Sequence, residues 1–230
     1  MNLSVLLQEV NDSGPIYAET VMGRFPVEPF NTASNLIFLA VIIYFAFKVW
    51  RSSNKHYFIR CILPIFFIGY VGGTIYHATR SAEIWLLMDW VPIVLLCLAC
   101  SIYFIFRATQ GWTQRLLLIL IIVVLNMTPR ILPVPIGYRN SAEYIGTVIA
   151  VILPIVIYLY RTRWHGARYL LFAVLSFTAA VSFRTLDKKF DMDWLWMGTH
   201  WLWHNFGGIA TFWLLLYIFQ DNERHQHIEK

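Results

Sequence analysis

The sequence predicts an all-α protein, a seven-transmembrane helix bundle forming a single domain over residues 1–230. Three observations predict it: an apolar composition too rich for a soluble domain, seven apolar segments of near-membrane length, and short connections between them. Of the 230 residues, 58% are hydrophobic and only 13% charged. That is more apolar surface than a water-soluble domain of this size can bury.

The apolar segments are 33–50, 57–77, 84–106, 116–127, 142–160, 169–183 and 196–219. They approach or reach the roughly 20 residues that a helix needs to cross the bilayer core; the fourth is the shortest. No linker or composition shift separates two folded units. Trp50, Trp112, Trp164, Trp194 and Trp196 fall near segment ends, where indole rings favour the headgroup region. Residues 1–31 are polar and acidic, with no basic start leading into an apolar run, so the first apolar segment is read as the insertion signal.

A net charge of +5 is better read loop by loop than as a sign of nucleic-acid binding. Taking alternate sides, the segment ends at Lys48, Arg51, Lys55, Arg60, Arg107, Arg115, Arg161, Arg163, Arg168, Arg224 and Lys230 carry most of the basic residues. That side is expected to be cytoplasmic, with the 220–230 tail on it and the amino-terminal segment outside. A cell membrane is expected for a bacterial chain, the endoplasmic reticulum or Golgi for a eukaryotic one. Cys61, Cys97 and Cys100 all lie inside apolar segments, which argues against a disulfide framework or a thiolate metal site.

Ionisable groups at membrane depth are costly and mark function. The sequence has four: His77 ending the second segment, Asp89 opening the third, and His200 and His204 opening the seventh. Alternating helix direction brings all four to one depth, whichever way the chain is inserted. His200 and His204, at i and i+4, share a helical face. A third imidazole from His77 completes three neutral nitrogen ligands, leaving a fourth tetrahedral position open, the arrangement of a catalytic zinc. Asp89 is then an outer partner or a base toward water. The competing readings are a haem held by two of the histidines and histidines that cap helices or bond headgroups. Asn31, Thr32, Ser34 and Asn35 suit a helix start. Asp187, Asp191 and Asp193, beside Lys188 and Lys189, read as a solvated loop, with Asp193 a remote carboxylate for the zinc. The tail histidines His225 and His227 read as incidental, and the tail itself as fraying.

"VEPFNTASNLIFL", "GGTIYHATRSAEIWLLMDWVPI" and the downstream "GTHWLWH" resemble the alkaline ceramidases and their bacterial relatives. These belong to the CREST superfamily of seven-helix membrane hydrolases, with the adiponectin and progestin receptors and the Per1-type lipid-remodelling proteins. The resemblance spans 19–212. It implies zinc on His77, His200 and His204, Asp89 as catalytic aspartate before Pro92, and hydrolysis of a ceramide-like membrane lipid to fatty acid and sphingoid base. Zinc would polarise the amide carbonyl and activate a water, with Asp89 passing a proton to the leaving amine. Asn31 or Ser34 would support the metal site. Gly73 stands where the family has a serine, and Thr74 is the neighbouring hydroxyl that partly replaces it. The family binds calcium near its amino terminus; Glu19 and Glu28 match two of those acids, while Ile16 and Val21 stand where further ligands are expected. The alternative for both acids is a solvated outer face. The non-catalytic alternative for the whole chain is a zinc-containing receptor or lipid-binding protein.

Overall fold

The computed structural model describes residues 11–131, 139–187 and 195–228, without the side chains of 126, 128–131, 139–147 and 226–228. Lys188, Lys189, Asp191, Asp193, Trp194 and the side chain of His227 lie outside what is described. The regular secondary structure of the described residues is all helical, with no strand among them. Eight helices follow in order: α1 (Pro29–Ser34), α2 (Leu36–Arg51), α3 (Tyr57–Thr79), α4 (Glu83–Ala108), α5 (Trp112–Ile131), α6 (Arg139–Arg161), α7 (Ala167–Leu186) and α8 (His200–Ile228). Among the described residues, five spans are long and apolar enough to cross a membrane: Pro29–Arg51, Tyr57–Thr79, Glu83–Ala108, Ala167–Leu186 and His200–His225. Trp112–Leu125 and Val148–Arg161 are shorter apolar helices. The chain divides into two compact units, Met1–Ile93 with Arg168–Lys230, and Val94–Ala167.

In the first unit α1 and α2 run nearly continuously, because Asn35 between them keeps right-handed helical angles. Pro29 opens α1, where its missing N–H would have no helical partner. The pair packs against α3 on one side and α8 on the other. Phe45, fully buried on α2, lies 5.7 Å from Phe212 of α8, and Phe38 meets Phe66 of α3 edge-on at 5.7 Å. Between α3 and α4 the contact is closer. A β-carbon on Gly72 would overlap Met88 and come within 2.6 Å of its backbone carbonyl carbon, so only glycine permits this crossing.

The carbonyls of the last turn of α3 need donors from outside the helix. Val27 N–H donates to Ala78 O at 2.9 Å and Glu28 N–H to His77 O at 3.0 Å. The amino-terminal segment is thereby fastened across the end of α3. At the other end of the unit, buried His56 meets Glu223 at 2.7 Å, and the Asn54 amide donates to the same carboxylate. This holds the end of α8 in place: the tail expected to fray continues the helix to Ile228.

In the second unit α5 packs on α6. The Ser101 hydroxyl donates to the carbonyls of Cys97 and Ala150, both at 3.0 Å, and Phe104 lies against Tyr158 at 5.8 Å.

Candidate metal centre

Three short stretches build the centre: the last turn of α3, α1, and the first two turns of α8. The end of α3 carries His77, and α8 begins on His200, with His204 one turn further. One ring nitrogen from each lies within 4.8 Å of those of the other two, and all three residues are buried. Among the described residues no other group of histidines, cysteines or carboxylates converges in this way.

Hydrogen bonds select the protonated nitrogen on two of the rings. His77 Nδ1 lies 2.5 Å from Glu28 Oε2. An ionised carboxylate only accepts, so Nδ1 carries the proton and Nε2 keeps its lone pair. On His204 the Ser34 hydroxyl decides. That hydroxyl donates to Asn31 O at 2.9 Å, so its oxygen accepts from His204 Nδ1–H at 2.8 Å. Asn31 O is a second acceptor for Nδ1 at 3.2 Å. His204 Nε2 is left with the lone pair. His200 has no such partner; its ring stacks on Tyr17 with centroids 3.8 Å apart.

His77 Nε2 and His200 Nδ1 are buried without a hydrogen-bond partner. A buried polar atom left so costs about 1–3 kcal/mol. A cation bound among the three rings relieves this cost, and the set therefore fits a metal ion. All three rings converge, one imidazole more than a haem held by two histidines uses.

Asp89, in the second turn of α4, reaches the same neighbourhood. Its Oδ1 occupies the space that a β-carbon on Gly73 would fill, one turn of α3 before His77. The Thr74 hydroxyl donates to the Tyr70 carbonyl at 2.7 Å. Asn31 and Ser34 lie inside α1: the Ser34 hydroxyl and the Asn31 backbone carbonyl accept from His204, while the Asn31 side-chain amide donates to Glu28. Helical backbone at 34 brings the Ser34 hydroxyl to α8, which capping statistics for a lone sequence do not foresee.

The two amino-terminal acids are not on a solvated face. Glu19 and Glu28 are 1% and 0% exposed. Glu19 accepts the backbone N–H groups of Phe30 (2.9 Å) and Asn31 (2.6 Å), which open α1. Glu28 accepts from Thr20, Asn31, His77 and Arg80. Burial pushes the Glu28 carboxyl up, but the His77 and Thr20 hydrogen bonds and the Arg80 charge outweigh it, so its pKa lies below the ordinary value. With their oxygens committed to protein donors, these acids form no calcium cluster with other carboxylates among the described residues.

Three residues were not legible as part of this group. Tyr17 lies over His200 and 5.5 Å from His77. Arg80, which in sequence terms is merely a charged residue between two apolar runs, is fully buried. Asp187, read as part of a solvated loop, accepts the N–H groups of Thr199 (2.8 Å) and His200 (3.2 Å) and of Ala18 (3.3 Å). It caps α8 from the turn that follows α7 and so fixes where the helix of His200 begins. Arg80 directly after the His77 stretch was the only available signal, and nothing local distinguished it from a loop cation.

The chain matches no known family model and no curated protein sequence.

Proposed function

We propose that this protein is a zinc-dependent intramembrane lipid amide hydrolase of the ceramidase type, cleaving an N-acyl sphingoid lipid to a fatty acid and a sphingoid base. The observation that carries the reading is the buried trio His77, His200 and His204, with two Nδ1 atoms held by Glu28 and Ser34 and a carboxylate, Asp89, beside Gly73, which lies one turn of α3 before His77. Three neutral imidazoles suit zinc with an open fourth position. Zinc held there supplies Lewis acidity toward a carbonyl and lowers the pKa of a coordinated water. Asp89 accepts a proton on the hydrolytic water's side and returns it to the leaving amine. Tyr17 covers the trio on one side, stacking on His200 and lying 5.5 Å from His77. The resemblance of the helix openings to alkaline ceramidases supports the substrate class, and the basic segment ends support placing the amino terminus outside the cytoplasm.

The test is fatty-acid release from a panel of N-acyl sphingoid lipids by purified protein in lipid nanodiscs. Wild type should turn over at least one of them, and Asp89→Asn should retain zinc while losing turnover. Full activity in that variant removes Asp89 from the mechanism. A second reading, a zinc-containing receptor or lipid-binding protein without turnover, is favoured by one observation: position 73 offers no hydroxyl, and that of Thr74 is directed at Tyr70 O. Lipid binding without fatty-acid release by any panel member would decide for it.

A further inference from the structure

Arg80 follows the last turn of α3 with φ +49° and is fully buried, though no sequence pattern marks it. Its guanidinium is surrounded by oxygen. Nε and Nη2 donate to the two oxygens of Asp12 at 2.9 and 2.6 Å, Nη1 to Glu28 Oε1 and Pro15 O at 2.9 Å each, and Nη2 to Gly14 O at 3.3 Å. The group makes five hydrogen bonds with its five donors. Its lower face rests on the Tyr76 ring, 4.6 Å from the centroid. Two carboxylates and two carbonyls around one positive charge form the kind of oxygen cage that a hard cation takes; here the chain's own side chain fills it.

The same Glu28 carboxylate that receives Arg80 on Oε1 receives His77 on Oε2. A carboxylate bonded at both ends has a fixed plane, and that plane sets the orientation and tautomer of the imidazole. We propose that Arg80 is a positioning residue of the metal centre: its guanidinium stands in for a bound cation, clamps residues 12–15 over the end of α3, and holds Glu28 in the orientation that presents His77 Nε2. The inference rests on the metal-binding reading of the histidine trio. It makes the amino-terminal segment independent of added calcium, because the position such an ion would take is occupied.

The left-handed backbone at position 80 makes Arg80→Gly the informative variant. Glycine adopts this conformation without strain and keeps the helix end, while removal of the side chain leaves the oxygen cage empty. The experiment measures zinc affinity by chelator competition on the full chain in detergent, with guanidinium, calcium or sodium chloride at equal ionic strength in the low millimolar range. Limited proteolysis within residues 11–28 is followed in parallel. Wild type should show no dependence on calcium or on a calcium chelator. Arg80→Gly should bind zinc about 10- to 100-fold more weakly, be cleaved faster, and recover on both measures with guanidinium or calcium but not with sodium. Such ion-specific recovery is not expected of a residue whose role is general packing. Wild-type zinc affinity in Arg80→Gly overturns the proposal, as does a loss that neither cation restores, or a calcium requirement in wild type. Asp12→Asn, outside the helices, is the second variant: it should move both measures in the same direction by a smaller factor, and no change there counts against the clamp. If wild type itself binds no zinc, the metal reading fails, and the proposed positioning of His77 for a metal fails with it; ion-specific recovery of protease resistance would then still establish the clamp alone.

Discussion

Asp89 Oδ1 stands directly over Gly73, in the space that any β-carbon at that position would take. The glycine therefore makes room for the carboxylate. Asn35 Oδ1 closes the other side, 3.4 Å from the same point. Gly73→Ala and Gly73→Ser should both displace Asp89 while leaving the three histidines in place. Zinc content should persist, and under the proposed mechanism lipid turnover should fall by about tenfold or more, because the proposed proton acceptor would lose its position. A rate gain in Gly73→Ser alone would instead assign the missing hydroxyl a role in catalysis.

The histidine trio predicts about one zinc per chain in protein purified in detergent. The comparison is cleanest in chains ending at Arg224, which lack His225 and His227 but keep Glu223 on its partners Ser52, Asn54 and His56. In that background His200→Ala should lose the metal, measured by elemental analysis. Zinc retained in full would place the site elsewhere.

The two Nδ1 partners should differ in weight. Glu28→Gln removes the charged acceptor of His77 and a partner of Arg80, and should weaken zinc binding by about 10- to 100-fold. Ser34→Ala should cost less, because Asn31 O remains as an acceptor 3.2 Å from His204 Nδ1. Chelator competition on both variants reads the order directly; equal losses would refute the hydrogen-bond assignment.

Asp187 supplies the α8 start with acceptors that no neighbouring residue in sequence provides. Asp187→Ala should destabilise the fold by about 1 kcal/mol, the usual cost of a lost helix cap. Hydrogen exchange should speed up first at the amides of Thr199 and His200. Unchanged protection of these amides would mean that packing alone sets the helix start.

Burial raises the pKa of Glu19 above its ordinary value of 4.5, against the lowering effect of the Asn31 and Phe30 N–H groups. The folded state then holds the proton more tightly than the unfolded chain. This contribution to stability is fully present below pH 4.5 and declines as pH rises through the raised folded-state value. Thermal midpoints of Glu19→Gln and wild type, compared across that window, should show the downward slope with rising pH only in wild type. A parallel pair of profiles would exclude Glu19 as its source.

The sequence by itself determined that this is a helical membrane protein and that His77, His200 and His204 belong together. Both conclusions follow from one-dimensional properties: apolar run length sets what crosses a bilayer, and alternating helix direction sets depth. Asn31, Ser34 and Asp89 were legible as polar residues near that depth, but their partners were not. Only the tertiary structure decided that Glu28 holds His77, that Ser34 holds His204, that Asp187 caps α8, and that Arg80 occupies the oxygen cage of the amino-terminal segment. Those contacts join residues separated by 12 to 170 positions. They depend on where a non-helical segment crosses the end of α3, and no periodicity records that path. The reason is physical: its anchors are backbone carbonyls left over at a helix end, which every helix has and which carry no sequence signature.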